Sequence, residues 1–370
     1  VIPVHRPIIG DNEAALVLDA LRAGDVSGSS GHYLPEFEQK FAAYCECVHG
    51  IAVSSGSTAL HLAAVLSNIA PGDEVLVSAC TNIASANAVV QQGGVVVPID
   101  SEPGTWNMDV RLLEGAITPR TRAIMPVHIY GHPVDMGEVM RLALAHGLAV
   151  IEDCAEAHGA LYYGKKVGGI GDVGCFSFYA NKVITTGEGG MIVTNNSAIA
   201  DRARLLRNLA FTYPRFQHRE VGYNYRMTNL QAALGVAQFA RIEGVIERKR
   251  QIAADYTDRL AYIPGLRLPV EKPYARNVYW MYCVVVDPAE FGTTRDVLVN
   301  ELRADGVETR TMFCPLNYQP SLLDRRAVRD TPCPVAENLW RNGLYLPSGC
   351  SLTDGEIDHI CAAIRRVAKL

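Results

Sequence analysis

Residues 172–196 read DVGCFSFYANKVITTGEGGMIVTNN. Two apolar runs, 175–180 and 191–194, bracket one lysine, Lys182, and the segment TTGEGG at 185–190. Such runs predict buried strands, and the glycine-dense link between them predicts a tight, sterically open loop. One amine is thereby held beside a backbone that a ligand can approach closely. The other lysines and arginines fall mostly on helix-like segments, where a solvated charge is the simpler reading.

Working outward, apolar runs recur at 51–53, 74–79, 95–99, 123–129 and 148–151, separated by helix-like segments at 82–92, 109–117 and 136–146. With the two runs around Lys182 these make seven strands. Strands alternating with helices predict an α/β fold: a large domain whose mainly parallel seven-stranded sheet is sandwiched by helices, with ligands at the carboxyl ends of the strands. The stretches after the strands (54–58, 80–82, 128–132, 153–158 and Lys182) are therefore the candidate functional segments.

Before the first strand, the pattern predicts a helix over 11–23, a Ser/Gly loop over 27–31 and a helix with Pro35 in its first turn. After the last, 210–226 is aromatic, polar and irregular. Thr228 and Gln231 form a capping box opening a helical pattern that runs to about Leu260. A strand at 279–286, a helix at 294–305 and a last helix opened by Thr353 and Glu356 predict a small α+β C-terminal domain. The expected division is a large α/β domain, 1–245, and a small C-terminal one, 246–370.

The 370 residues are 49% hydrophobic and 20% charged, with a formal net charge of −5. That composition excludes a disordered chain, and the charge disfavours a nucleic-acid binder relying on phosphate neutralisation. No apolar run reaches the roughly 18 residues of a membrane span. The opening VIPVHRPIIGDNEAA lacks the charged-then-apolar order of a signal peptide, so the expectation is a cytoplasmic protein without a membrane partner. Ten cysteines, with no C-x-x-C pair, read as reduced and buried small hydrophobes.

Gly169, Gly171 and Gly174 fit G-x-G-x-x-G, but they precede a strand instead of opening a helix, so the dinucleotide fingerprint is a decoy, and with it a nicotinamide oxidoreductase. His128 and His132 have i, i+4 spacing on a strand end, not on one helix face, which argues against zinc. The run SSGST, 54–58, is a small-residue turn before a helix; it suits a phosphate, or else serves as an ordinary cap using Ser57 or Thr58. Asp153 ends an apolar strand, where a carboxylate is costly unless paired, so it either caps a loop or faces a cation. A phosphate cradle, a carboxylate and a glycine-flanked lysine, each after a different strand, are together the parts that hold pyridoxal 5′-phosphate (PLP): Lys182 as Schiff base, Asp153 on the pyridine nitrogen.

The runs SGSTAL (55–60), PVHIYGHPVDM (126–136), EDCAEAHGA (152–160), GDVGCFSFYANKVITTGEGGM (171–191) and GYNYRMTNLQAALG (222–235) resemble, in order and separation, the DegT/DnrJ/EryC1/StrS sugar aminotransferases of fold type I. The resemblance implies Lys182 and Asp153 as catalytic, and Ser177, Gly56, Ser57 and Thr58 as phosphate ligands. Asn224 would reach the phosphate of a neighbouring subunit, which implies a homodimer with shared sites. Asn82 stands where many members carry a ring-stacking aromatic. Glu156 stands where many relatives carry glutamine near the cofactor 3-hydroxyl, and this looks most like the branch that aminates C4 of GDP-4-keto-6-deoxymannose. L-Glutamate is the implied amino donor, with pyridoxamine 5′-phosphate as the intermediate cofactor form. Other readings are an aminotransferase for an unactivated octulosonate-type sugar, a non-catalytic PLP-binding regulator, and a sugar dehydratase. Dehydratases of this kind replace the lysine with histidine, whereas Lys182 is present.

Overall fold

The computed structural model describes residues 1–369. The large sheet comprises β1 (His49–Val53), β2 (Glu74–Ser78), β3 (Val95–Ile99), β4 (Thr121–Met125) and β5 (Ala149–Asp153). Two-residue strands β6 (Leu161–Tyr162) and β7 (Lys165–Lys166) intervene before its last members, β8 (Val173–Ser177) and β9 (Gly190–Thr194). Its order is β1-β9-β8-β5-β4-β2-β3. Every pairing from β8 to β3 is parallel, and β9 alone runs against both its neighbours, so the predicted mainly parallel seven-stranded sheet is present. The antiparallel turn from β8 to β9 is what makes room for the Lys182 loop at the sheet's carboxyl end.

These strands are Val/Ile-rich and buried on both faces, as a sheet covered by helices must be. On one side Leu76, Val97, Ile124 and Val150 pack on Leu113, Met136, Val139 and Leu142. Farther along the same side, Phe176 packs edge-on against Phe41, which also meets Phe178. On the other side Val75, Val77, Ile151 and Cys175 pack with Leu60, Ala63, Ala86 and Val89. Helices α1 (Asp11–Ala23), α2 (Tyr33–Tyr44), α3 (Gly56–Leu66) and α4 (Ile83–Val90) fall where the periodicity predicts. The expected 109–117 helix is reduced to a 3-10 turn, Val110–Leu112, and one turn, Leu113–Ala116. The strand expected over 123–129 stops at Met125, where Pro126 and a left-handed Tyr130 (φ 52) turn the chain.

Thr228 and Gln231 form the capping box as expected, but the long helix is two: Asn229–Phe239 and Ile242–Leu260. The break is at Arg241, whose φ of −114 and ψ of 6 leave the helical region. A second, wholly antiparallel sheet has the order β10 (Leu266–Arg267), β12 (Tyr282–Val286), β14 (Gly343–Leu346), β13 (Arg310–Thr311). The remaining strand, β11 (Ala275–Arg276), joins β6 and β7. The expected domain boundary after residue 245 lies inside Ile242–Leu260. The first residues attach to the C-terminal sheet unit through the Ile2–Val307 bridge and the Ser348 N–H, which donates to the Val4 carbonyl at 2.9 Å. Among the described residues no helix is long and apolar enough to cross a membrane.

Candidate active site

A cavity of about 270 Å³ opens at the carboxyl ends of β2, β5 and β8. Gly56, Ser57, Asn82, Asp153, Glu156, Ser177 and Lys182 all line it. Thr58 and Asn224 do not.

Each anionic or cationic group is placed by its strand. Asp153 closes β5, buried, with Oδ2 accepting from the Ser85 hydroxyl at 2.7 Å and Oδ1 from the Ala155 N–H at 3.1 Å. Burial raises its pKa, opposed by those two donors and by Lys182 and His128. Three residues on, Glu156 is buried too, and its Oε2 accepts from the Tyr130 N–H at 2.8 Å. Its carboxyl is pushed up to about 7, by burial above all, with Lys182 and the Tyr130 amide pulling the other way. The Lys182 amine has no hydrogen-bond partner among the described residues and lies 4.0 Å from the centre of the Trp280 ring. Burial lowers its pKa, while Glu156 and Asp153 raise it. An amine poised toward neutrality between two buried carboxylates is suited to nucleophilic attack and proton transfer.

The opposite wall is the start of α3. Its cap is Ser55, whose Oγ accepts from the Thr58 N–H at 3.1 Å, and not Ser57 or Thr58. The Thr58 hydroxyl is committed to that cap, donating to the Ser55 carbonyl at 2.8 Å. The amides of Gly56 and Ser57 find no acceptor among the described residues, and with the Ser57 and Ser177 hydroxyls they form an anion cup. Two glycines permit the approach. A Cβ on Gly56 would meet Ser177 Cβ at 2.6 Å, and one on Gly190 would meet the Ser55 carbonyl oxygen at 2.3 Å. An anion cup, a buried carboxylate and an unpartnered amine around one cavity fit the phosphate, ring nitrogen and aldehyde of PLP.

Asn82 uses its side chain as the α4 cap, accepting from the Ala84 N–H at 3.0 Å, so its amide edge and not an aromatic face meets the cavity. Asn224 is exposed, and its backbone pairs with Asn208. The Gly169–Gly174 turn is indeed no dinucleotide site. Amides of Gly168, Ile170 and Gly171 bind the buried Glu152 carboxylate at 2.7–2.9 Å, so the loop's anion is internal. His128 also donates to Glu152 at 3.1 Å, while His132 Nε2 accepts from the Lys272 N–H, so the two histidines do not converge.

The sequence reading missed Trp280, Phe313 and Tyr345, which reach the cavity from the C-terminal unit. Tyr130 lies parallel to Phe313 (centroids 5.6 Å apart) and to Trp280 (6.2 Å), which links that unit to the turn holding Glu156. The only signal was aromatic density, as in VYWMY over 278–282.

The family model for the DegT/DnrJ/EryC1/StrS aminotransferases matches residues 7–365. The chain belongs to that family. GDP-perosamine synthase of Caulobacter vibrioides is 43% identical to it, over 99% of this chain and 98% of the relative. That of Escherichia coli O157:H7 is 40% identical, over 98% and 97%. Among solved structures, S. venezuelae DesV in complex with a ketimine intermediate superposes with a TM-score of 0.90 at 36% identity, covering 99% of each chain. The protein is a PLP-dependent aminotransferase. The lysine, carboxylate and anion cup above are the residues that would hold its cofactor.

Proposed function

We propose that this aminotransferase converts a nucleotide-linked 4-keto-6-deoxy sugar, GDP-4-keto-6-deoxymannose, into the 4-amino sugar with L-glutamate as donor. The amino sugar would serve a cell-surface polysaccharide such as an O-antigen. The observation that carries the reading is the unpartnered Lys182 amine held between Asp153 and Glu156. The full-length similarity to GDP-perosamine synthases, at 39–43% identity, supports the choice of sugar.

PLP supplies an electron sink that stabilises negative charge at the substrate carbon. The chain supplies the rest. Lys182 takes and returns the proton at that carbon, for which its lowered pKa suits it. Asp153 holds positive charge on the ring nitrogen. Gly56, Ser57 and Ser177 fix the phosphate, and Glu156, near neutrality in pKa, is placed to share a proton with the ring hydroxyl.

The reading includes a homodimer in which Asn224 of one protomer completes its partner's phosphate cup. Residues 1–245 would form the cofactor-binding unit and 246–370 the smaller one, with residues 1–5 joined to the latter. We take the setting to be cytoplasmic, which fits ten unpaired cysteines.

The test is to convert the protein to its pyridoxamine form with L-glutamate and then offer keto sugars singly. GDP-4-keto-6-deoxymannose should restore the visible absorbance of the PLP form. Restoration by an unactivated octulosonate and not by any nucleotide sugar would overturn the substrate assignment.

A further inference from the structure

Two hydroxyls stand beside Asp153: Ser85 lies behind it, outside the cavity, and Thr81 also borders the cavity. Thr81 and Ser85 lie four residues apart at the start of α4, and both are buried, at 1% and 0% exposure. Ser85 Oγ is 2.7 Å from Asp153 Oδ2, and Thr81 Oγ1 is 2.9 Å from Ser85 Oγ. A hydroxyl has one proton to give and an ionised carboxylate has none. The Ser85 proton therefore goes to Asp153, and the Thr81 proton must go to Ser85. The direction of the chain is fixed: Thr81 to Ser85 to Asp153.

A donor to a carboxylate favours its charged form. Asp153 is otherwise in surroundings that discourage charge. Around it stand Lys182 from the loop after β8, His128 from the turn after β4, Glu156 on its own loop, and the buried thiols of Cys154 and Cys175. Of these only Lys182 and His128 favour the carboxylate, and Lys182 is the group that the cofactor takes up. With Lys182 committed to the cofactor, the hydroxyl chain, the Ala155 amide and His128 are the support that remains.

We propose that Thr81 and Ser85 form a two-hydroxyl relay that aims Asp153 at the ring nitrogen of PLP and keeps it a carboxylate, with Ser85 as the positioning residue and Thr81 as its second link. The inference rests on the PLP assignment. A charged partner keeps the ring nitrogen protonated, and a protonated ring draws electron density from the Lys182 nitrogen. Losing that pull raises the pH at which the Lys182–cofactor linkage gives up its proton.

The experiment is a pH titration of the visible band of the PLP-loaded, substrate-free protein, paired with kcat and KM. Ser85→Ala should move the titration midpoint up by about one pH unit, the effect of one lost hydrogen bond to a charged group. It should lower kcat about tenfold while KM stays within about twofold. Ser85→Thr, which keeps the hydroxyl, should restore both. Thr81→Val should move the midpoint the same way by less, and the Thr81→Val/Ser85→Ala double variant should match Ser85→Ala, since Thr81 acts only through Ser85. An unmoved midpoint in Ser85→Ala, additive shifts in the double variant, or no rescue by threonine would each overturn the relay. If Ser85→Ala fails to hold the cofactor, an unmoved midpoint in Thr81→Val does so alone. A wild-type protein with no visible band would instead overturn the cofactor assignment.

Discussion

The indole of Trp280 lies 4.0 Å from the Lys182 amine, although Lys182 follows β8 of the large sheet and Trp280 precedes β12 of the second. Three hydrogen bonds fix that ring. Its Nε1 donates to the Asn181 carbonyl at 2.7 Å, its backbone N–H to the Tyr130 carbonyl at 3.0 Å, and its own carbonyl accepts from the buried Lys249 amine at 3.0 Å. Trp280 thus joins the loop carrying Lys182 through its indole and the turn facing Glu156 through its backbone.

Trp280→Phe keeps an aromatic face over the amine but deletes the Nε1 donor, and should cost about 1 kcal/mol in urea unfolding. Trp280→Ala also leaves a void at a site 3% exposed, and should cost about 3–5 kcal/mol. Equal losses in the two variants would show that the indole's packing contributes nothing beyond its hydrogen bond.

Glu156 gives the stability a pH dependence of defined sign. Its pKa rises from 4.5 to about 7 on folding, so between those values the folded chain keeps a proton that the unfolded chain has lost. Its contribution is full below pH 4.5 and falls as pH rises through 7. His158, whose pKa is lowered to about 3 by burial, slopes the other way between 3 and 6.5, so the total profile hides the effect. The comparison with Glu156→Gln isolates it. Relative to that variant, the cofactor-free wild type should lose up to about 3 kcal/mol between pH 5 and pH 8. A difference that stays constant with pH would mean the carboxyl is not held protonated.

What was legible in the sequence was whatever one strand end and its following turn encode. Lys182, Asp153 and the Gly56 turn could be read because a buried run that stops at a glycine or a carboxylate must satisfy its groups locally, whereas Ser177 was named only through the family resemblance. Thr58 could be placed beside the phosphate but not assigned, since a hydroxyl that caps and a hydroxyl that binds look alike in sequence. Asn82 likewise reads as a substitution for an aromatic, and only the bond to the Ala84 amide shows it working as a cap. The helix break at Arg241 left no trace, because the apolar pattern runs through it and the nearest glycines, Gly235 and Gly244, sit inside the two helices and not at the break. Trp280, Phe313 and Tyr345 reach the cavity by docking of a distant unit, which no local pattern carries.

Gly56→Ala tests the anion cup. The added Cβ would fall 2.6 Å from Ser177 Cβ, so the first turn of α3 must lift from β8. Overpacking of this kind costs about 1–3 kcal/mol, and PLP titrated into the cofactor-free protein should bind at least about tenfold more weakly. Thr58→Val is the control. It removes a hydroxyl that serves the Ser55 cap, so it should cost about 1 kcal/mol in stability while PLP affinity stays within about twofold. Affinity lost in Thr58→Val and kept in Gly56→Ala would move the phosphate off the helix end.

Asn224 discriminates a shared site from a self-contained one. It is exposed, lies outside the cavity of its own chain, and its side chain has no hydrogen-bond partner among the described residues. Lys182→Ala removes the amine, and Asn224→Ala should leave the protein inactive at limiting PLP. If the protein is the proposed homodimer, half of its dimers are hybrids once the two variants are unfolded together and refolded. If Asn224 acts across the interface, each hybrid has one site with both Lys182 and Asn224, and one with neither. Activity should then recover to about a quarter of wild type. If Asn224 acts within its own chain, every site in every dimer lacks one of the two residues, and mixing recovers nothing.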